Sequence, residues 1–287
     1  MDLDLRLVRY FTVVARHQHF GRAAGELRVA QPSLSRQIHR LEQQLGARLL
    51  DRTPRGTHLT PAGEVFLPLA EGLLRAATHA TAQAQAAARP SRITIGYTTG
   101  LIVTPAVREL RHRHPEAEVL TLHLGWGDTR LALLDHRVDA VVTRLPFPTD
   151  KLDVSVLYDE PRVLLVPLDH RLAGKESVTL DDIADEPLPR LAADPAWNAY
   201  WRVDPRPDGR PAPDGPLVAA VEDKNELIAA GQAVAIVPAS IRARPDLTTI
   251  PLEGVDPSHV VLATRSGDNG RLLAAFRKSA RNHLTGA

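Results

Sequence analysis

FGRAAGELRVAQPSLSRQIHRLEQQLG, residues 20–46, decides how this chain is read. Ala23, Ala24 and Leu27 share one face of a short helix from Arg22 to Leu27, and the alanines are small enough for another helix to cross closely. Val29 and Ala30 form a tight turn. Pro32 suits the first position of a second helix, where a missing N–H costs nothing, and that helix can run to Leu45 before Gly46 stops it. At about 100° per residue, Leu34, Ile38, Leu41 and Leu45 fall in one narrow stripe, while Pro32, Arg36, His39, Arg40 and Gln43 face the other way. The pattern is helix, turn, helix, with one face to pack and one face left to read a partner.

Outward from this stretch, Leu5, Val8, Phe11, Thr12 and Ala15 recur at helical spacing, so a short amphipathic helix is expected from Leu5 to about Arg16. Leu49 to Thr60 places Arg52, Pro54, Arg55 and Gly56 between two short extended stretches, which reads as a wing with a basic tip. From Pro61 to about Arg89 the pattern is helical again, with Val65, Leu69, Leu73, Ala76, Ala80 and Ala84 in a stripe along a rod of roughly 40 Å. Pro68 is expected to kink that rod near its start. Beyond Arg89-Pro90-Ser91 the periodicity changes to short β-branched strands separated by helices, at Ile93–Thr98, Val119–Leu124, Val138–Thr143, Arg162–Pro167, Leu217–Val221, Val234–Val237 and His259–Arg265. This alternation predicts an α/β region with substantially parallel sheets. Asp204 to Pro216, with five prolines in thirteen residues, is expected to be an exposed loop.

Composition narrows the function classes. The 287-residue chain is long enough for two domains and contains no cysteine, which excludes disulfides, thiolate metal sites and thiol chemistry. Its net charge of +1 is unevenly spread: residues 1–60 hold ten Arg, no Lys and five acidic residues. An arginine-rich head on a mildly acidic body suits a protein that approaches nucleic acid at one end. Asp2, Asp4, Arg6 and Arg9 break up the opening apolar stretch, and no apolar run of about 18 residues occurs, so neither a secretory signal nor a membrane span is expected and a cytoplasmic location is.

The run Phe20-Gly21-Arg22-Ala23-Ala24, Leu27, Gln31-Pro32-Ser33-Leu34-Ser35-Arg36-Gln37-Ile38, Leu41-Glu42, Leu45-Gly46 and Leu49 to Arg52 resembles the DNA-binding module of LysR-type transcription regulators. Leu59-Thr60-Pro61-Ala62-Gly63 is similar to that family's wing-to-linker junction. The chain departs from the pattern at Ala30, where the family usually has a hydroxyl residue able to cap the recognition helix. The resemblance implies a winged helix-turn-helix in residues 1–60, a linker helix for dimerisation in 61–89, and an effector-binding domain in 90–287. Ile93-Thr94-Ile95-Gly96, Val138-Asp139-Ala140 and Gly231 to Pro238 resemble strands and turns of that effector domain. It implies two lobes of the periplasmic-binding-protein type, near 92–161 plus 266–287 and near 162–265. The expected DNA contacts are Gln31, Pro32, Ser33, Ser35, Arg36, His39 and Arg40, with Arg52 and Arg55 of the wing. The implied partners are double-stranded DNA at an interrupted palindrome, a small-molecule effector such as an organic anion, further copies of the chain as homodimer or homotetramer, and RNA polymerase. No cofactor is implied.

Other residues are weighed on their own chemistry. Thr98, Thr99 and Gly100 lie between a strand and a helix, where free N–H groups and hydroxyls can hold a carboxylate or simply cap the helix. Trp126 and Asp128 follow the second strand, where Trp126 either lines or plugs a pocket, and Arg144 ends the next strand as an anion partner or a solvated arginine. Trp197 and Trp201, one helical turn apart, are read as core packing in preference to ligand stacking. His17-x-His19 and His112-x-His114 lack further ligands at metal spacing, and no Gly-x-Ser-x-Gly, phosphate loop or His-Glu-x-x-His occurs. A binding protein is expected and not an enzyme. The alternatives are an enzyme or solute-binding domain fused to a DNA-binding module, and an architectural DNA-binding protein with no effector.

Overall fold

The computed structural model describes residues 3–53, 56–88, 91–125, 127–191 and 195–286. The chain divides into two compact units, Met1–Ala88 and Arg89–Ala287.

In the first unit, α1 (Leu5–His17), α2 (Phe20–Leu27) and α3 (Gln31–Leu45) precede a hairpin of β1 (Leu50–Thr53) and β2 (Gly56–Leu59), followed by α4 (Pro61–Ala88). Leu7, Phe11, Ala23, Leu34, Ile38, Leu41 and Leu49 meet in one buried cluster, to which α4 contributes Ala70 and, at 5.4 Å from Phe11, the ring of Phe66. The Leu34–Ile38–Leu41 stripe is therefore the packing face of α3. The first two helices are capped by side chains: Asp4 accepts from the Arg6 N–H, and His19 accepts from the N–H groups of Gly21 and Arg22. The His19 ring is thus engaged as a helix cap through Nδ1. At α3, Ala30 makes no capping bond, and Pro32 sits second, after Gln31, instead of first. Gly46 ends α3 in the left-handed conformation at φ +68°, as a C-terminal glycine should. The expected kink at Pro68 does not break α4, which is helical from Pro61 to Ala88.

The second unit runs β3 (Arg92–Thr98), α5 (Thr104–Arg113), β4 (Glu118–Leu124), α6 (Thr129–Leu134), β5 (Ala140–Arg144) and β6 (Leu152–Glu160). It continues with β7 (Arg162–Pro167), β8 (Leu188–Leu191), α7 (Pro195–Arg202), β9 (Asp214–Val218), α8 (Val221–Ala229), β10 (Ala235–Pro238), β11 (Leu247–Pro251), β12 (Ser258–Arg265) and α9 (Arg271–His283). Among the described residues the strands form a five-stranded sheet, β4-β3-β5-β12-β6, a three-stranded sheet, β10-β7-β11, and the pair β8-β9. Each larger sheet has apolar groups on both faces. Ile93, Ile95 and Val142 pack with α5 and α9, while Val141 and Ala263 pack with α6. Leu164 and Val166 pack with Trp201 of α7, and Leu165 with Ile228 of α8.

Two expectations are corrected here. The sheets are mixed: β3 is parallel to β4 and β5, but β12 runs antiparallel to β5 and β6, and β7 antiparallel to both its neighbours. Residues 258–265, assigned to the second lobe, lie inside the first lobe's sheet. The reason is burial on both faces: Val260 to Ala263 is an unbroken, buried apolar run, the pattern of a central strand. The strands β6, β8 and β11 were not anticipated.

Candidate functional site

The reading face of α3 is built by default, because its other side is used up in packing. Pro32, Arg36, His39 and Arg40 are exposed on the side away from Leu34, Ile38 and Leu41, Ser33 and Ser35 are half-buried at its flanks, and Gln31 is exposed at the helix start. Among the described residues neither Arg36 nor Arg40 has an ion-pair partner. Two unneutralised guanidinium groups on one exposed helix face suit a polyanion. Glu42, on the inner side, accepts hydrogen bonds from the N–H groups of Leu49 and Leu50 at 2.9 and 3.2 Å and so fixes the start of the wing to α3. Of the two expected wing arginines, Arg52 lies on β1 with its side chain outside the described residues, as Arg55 is altogether.

In the second unit a cavity of about 130 Å³ is lined from both sheets. Thr98, Thr99, Gly100 and Arg144 come to it together, as their positions at the ends of β3 and β5 suggested. Trp126 lies outside the described residues, although Gly125 and Gly127 line the wall. Asp128 does not line it: its carboxylate pairs with Arg137 at 3.0 Å.

Arg144 does reach the cavity, but its charge is already matched. Its Nε donates to Glu160 at 2.8 Å, Nη1 to the Thr99 carbonyl at 2.9 Å and Nη2 to the Ser240 hydroxyl at 3.0 Å. Burial pushes the Glu160 carboxyl up, but hydrogen bonds from Arg144 and Ser240 outweigh it and hold the carboxyl below its ordinary value. Arg144 is thus neither the free anion partner nor the solvated arginine that the sequence allowed. It clasps β5 and β6 to the segment after β10.

Three further groups on the wall were missed or read differently. Trp201 belongs to the buried core, as expected, yet Trp197 and Trp201 also face the cavity, with ring centroids 6.2 Å apart. Arg202 lines the wall and is neutralised by Asp204 at 3.1 Å and Asp214 at 2.7 Å. Lys224 of α8, only 6% exposed, lines it too, and burial pushes its ammonium down to about 8. A faint signal marked it: Val221, Lys224 and Ile228 occupy one helical stripe, so a lysine stands where an apolar residue belongs.

Residues 5–64 match the family profile described as bacterial regulatory helix-turn-helix protein, lysR family, and residues 84–285 match that of the LysR substrate binding domain. The transcriptional regulator YnfL of Escherichia coli K12 is 36% identical over 194 residues, which are 66% of this chain and 65% of that protein. AlsR of Bacillus subtilis is 34% identical over 204 residues, 69% of this chain and 67% of AlsR. In these alignments the chain spans about two thirds of each relative's length. The crystal structure of full-length CbnR complexed with its target DNA superposes with a TM-score of 0.54 at 26% identity, covering 98% of this chain and 99% of CbnR. No helix among the described residues is long and apolar enough to cross a membrane.

Proposed function

The chain belongs to the LysR family of bacterial DNA-binding transcription regulators, and from that premise we propose that it binds operator DNA through α3 and is switched by a small molecule held in the cavity of its second unit. The observation that carries the DNA reading is the two-sided helix: a stripe of Leu34, Ile38 and Leu41 buried on one side, Arg36, His39 and Arg40 exposed on the other, and Gln31 exposed at the helix start. Gln31, Pro32, Ser33, Ser35 and Arg36, near the helix start, read base edges, while Arg40 and the wing's Arg52 and Arg55 hold phosphates. Arg36→Ala is expected to cost about 1–3 kcal/mol of specific binding and to relax base preference at one position. Titration on an operator selected from genomic DNA measures this, and unchanged affinity and specificity would remove Arg36 from the contact set.

The rest of the reading concerns assembly and setting. Val65, Leu69, Leu73, Ala76, Ala80 and Ala84 are all exposed along α4, and this continuous apolar stripe pairs with the same helix of a second copy. Such a two-fold pair matches an interrupted palindrome, and two pairs make a tetramer. Replacing Leu73 and Ala80 with Asp should yield monomers in sedimentation; a wild type that already sediments as a monomer contradicts the pairing. The protein acts in the cytoplasm, by binding and without turnover.

A further inference from the structure

We propose that the cavity of the second unit is a receptor for a compact single-ring monocarboxylate, with Lys224 as the residue that binds its carboxylate. The inference rests on the reading of this cavity as the effector site and adds the chemistry of the occupant.

The first ground is a buried cation without a counterion. Lys224 is 6% exposed and, among the described residues, makes no hydrogen bond or ion pair. Isolated buried charges are costly, and proteins pair them or bring them a ligand. Its position adds to the cost: it stands near the start of α8, whose N-terminal end favours negative charge. Val221, the first residue of the same helix, lines the cavity with it.

The second ground is the charge balance of the wall. Arg144 is matched by Glu160, Arg202 by Asp204, and Asp214, which also touches Arg202, is shared with Arg190. Among the described residues no acidic side chain lines the cavity. One positive charge is left over, on Lys224, so a monoanion balances the site. A dianion would exceed it, a cation would be repelled, and a neutral occupant would leave the ammonium dry.

The third ground is shape. Trp197, Trp201, Phe147 and Ile241 supply flat and branched apolar surface around the cavity. Its volume of about 130 Å³ is close to that of an apolar cavity known to accept benzene, which sets the occupant at one ring. Thr98 and Thr129 both hydrogen-bond to the Thr143 hydroxyl, at 3.2 and 3.4 Å, so this polar patch is satisfied internally and calls for no second charge.

The test uses the full chain, with calorimetric titration of benzoate, salicylate and nicotinate against the neutral isostere benzamide. At least one carboxylate should bind saturably and benzamide should not, and Lys224→Met should weaken the carboxylate on the order of 100-fold. Lys224→Arg should restore part of the loss. Without ligand, Lys224→Met should melt a few degrees above the wild type at neutral pH, because an unmatched buried charge has been removed. If it melts lower, Lys224 has an internal partner and the proposal falls. Benzamide binding as tightly as benzoate, or carboxylate affinity indifferent to Lys224→Met, overturns the charge assignment and leaves the effector cavity standing. Carboxylate binding that survives both Lys224→Met and the cavity-filling Ile241→Trp places the ligand elsewhere and overturns both readings. Failure of all three carboxylates to bind at millimolar concentration overturns the proposed ligand class.

Discussion

Gly63→Ala is expected to unfold the first unit, at a cost of about 4 kcal/mol or more, the range reserved for severe steric and packing defects. Two effects compete at this position. Alanine is the better helix former by about 1 kcal/mol, which would favour the substitution. Against it, a Cβ on Gly63 would lie 2.1 Å from the Leu49 carbonyl oxygen, well inside contact distance. That carbonyl has nowhere to go. It accepts from the Thr60 N–H at 3.0 Å, the N–H of Leu49 is held by Glu42, and the Thr60 hydroxyl donates to the neighbouring Arg48 carbonyl at 2.6 Å while accepting from the Gly63 N–H. The clash therefore wins. Circular dichroism and DNA titration should show the unit melted and specific binding lost, with ligand binding by the second unit retained. Gly72→Ala is the control in the same helix, since its Cβ would meet only the tip of Arg75 at 3.8 Å, and it should stabilise slightly. Equal melting temperatures for the two variants would show that the junction yields more readily than its hydrogen bonds indicate.

The junction also shows what kind of information the sequence carries. The helices of residues 5–46 were legible because the determinants are local: periodic stripes and a glycine stop sit within a few residues of what they shape, whereas the approach of Gly63 to Leu49 is not visible in the sequence. In the second unit the determinants are remote. The partners of Arg144 are Glu160, sixteen residues on, and Ser240, ninety-six residues on, so its neutralisation could not be read from the strand end where it stands. The same holds for β12, whose place between β5 and β6 depends on a chain return after β11. That Thr98, Thr99 and Gly100 line the cavity follows from a strand-to-helix turn, a local feature, while the pairing of Asp128 with Arg137 across α6 is not visible at the strand end. Lys224 lay hidden in Val221-Glu222-Asp223-Lys224-Asn225-Glu226, a run that looks like an ordinary solvated helix face until burial is known.

Glu160→Gln is expected to destabilise the second unit by about 3–5 kcal/mol, because it leaves the Arg144 guanidinium buried without its counterion. The two side chains are 10% and 5% exposed, so solvent screens them little. Glutamine keeps the shape and can still accept a hydrogen bond, so the change isolates charge from packing. For a unit of this size that cost lowers the melting temperature by roughly 10 °C. Arg144→Met combined with Glu160→Leu should recover more than half of the loss, since an apolar pair of similar bulk removes both desolvation penalties. Acid gives an independent check of sign. The Glu160 carboxyl is held below its ordinary value, so its contribution is present above the unfolded carboxylate range and is lost as pH falls through the folded value. The gap between wild type and Glu160→Gln should accordingly be widest near neutrality and close on acidification. Because the pair joins β5 and β6 to Ser240 after β10, loosening it frees the two lobes against each other, and ligand affinity should weaken along with stability. A Glu160→Gln protein that melts with the wild type at neutral pH would mean that Arg144 reaches water, and its role as an anion receptor would then reopen.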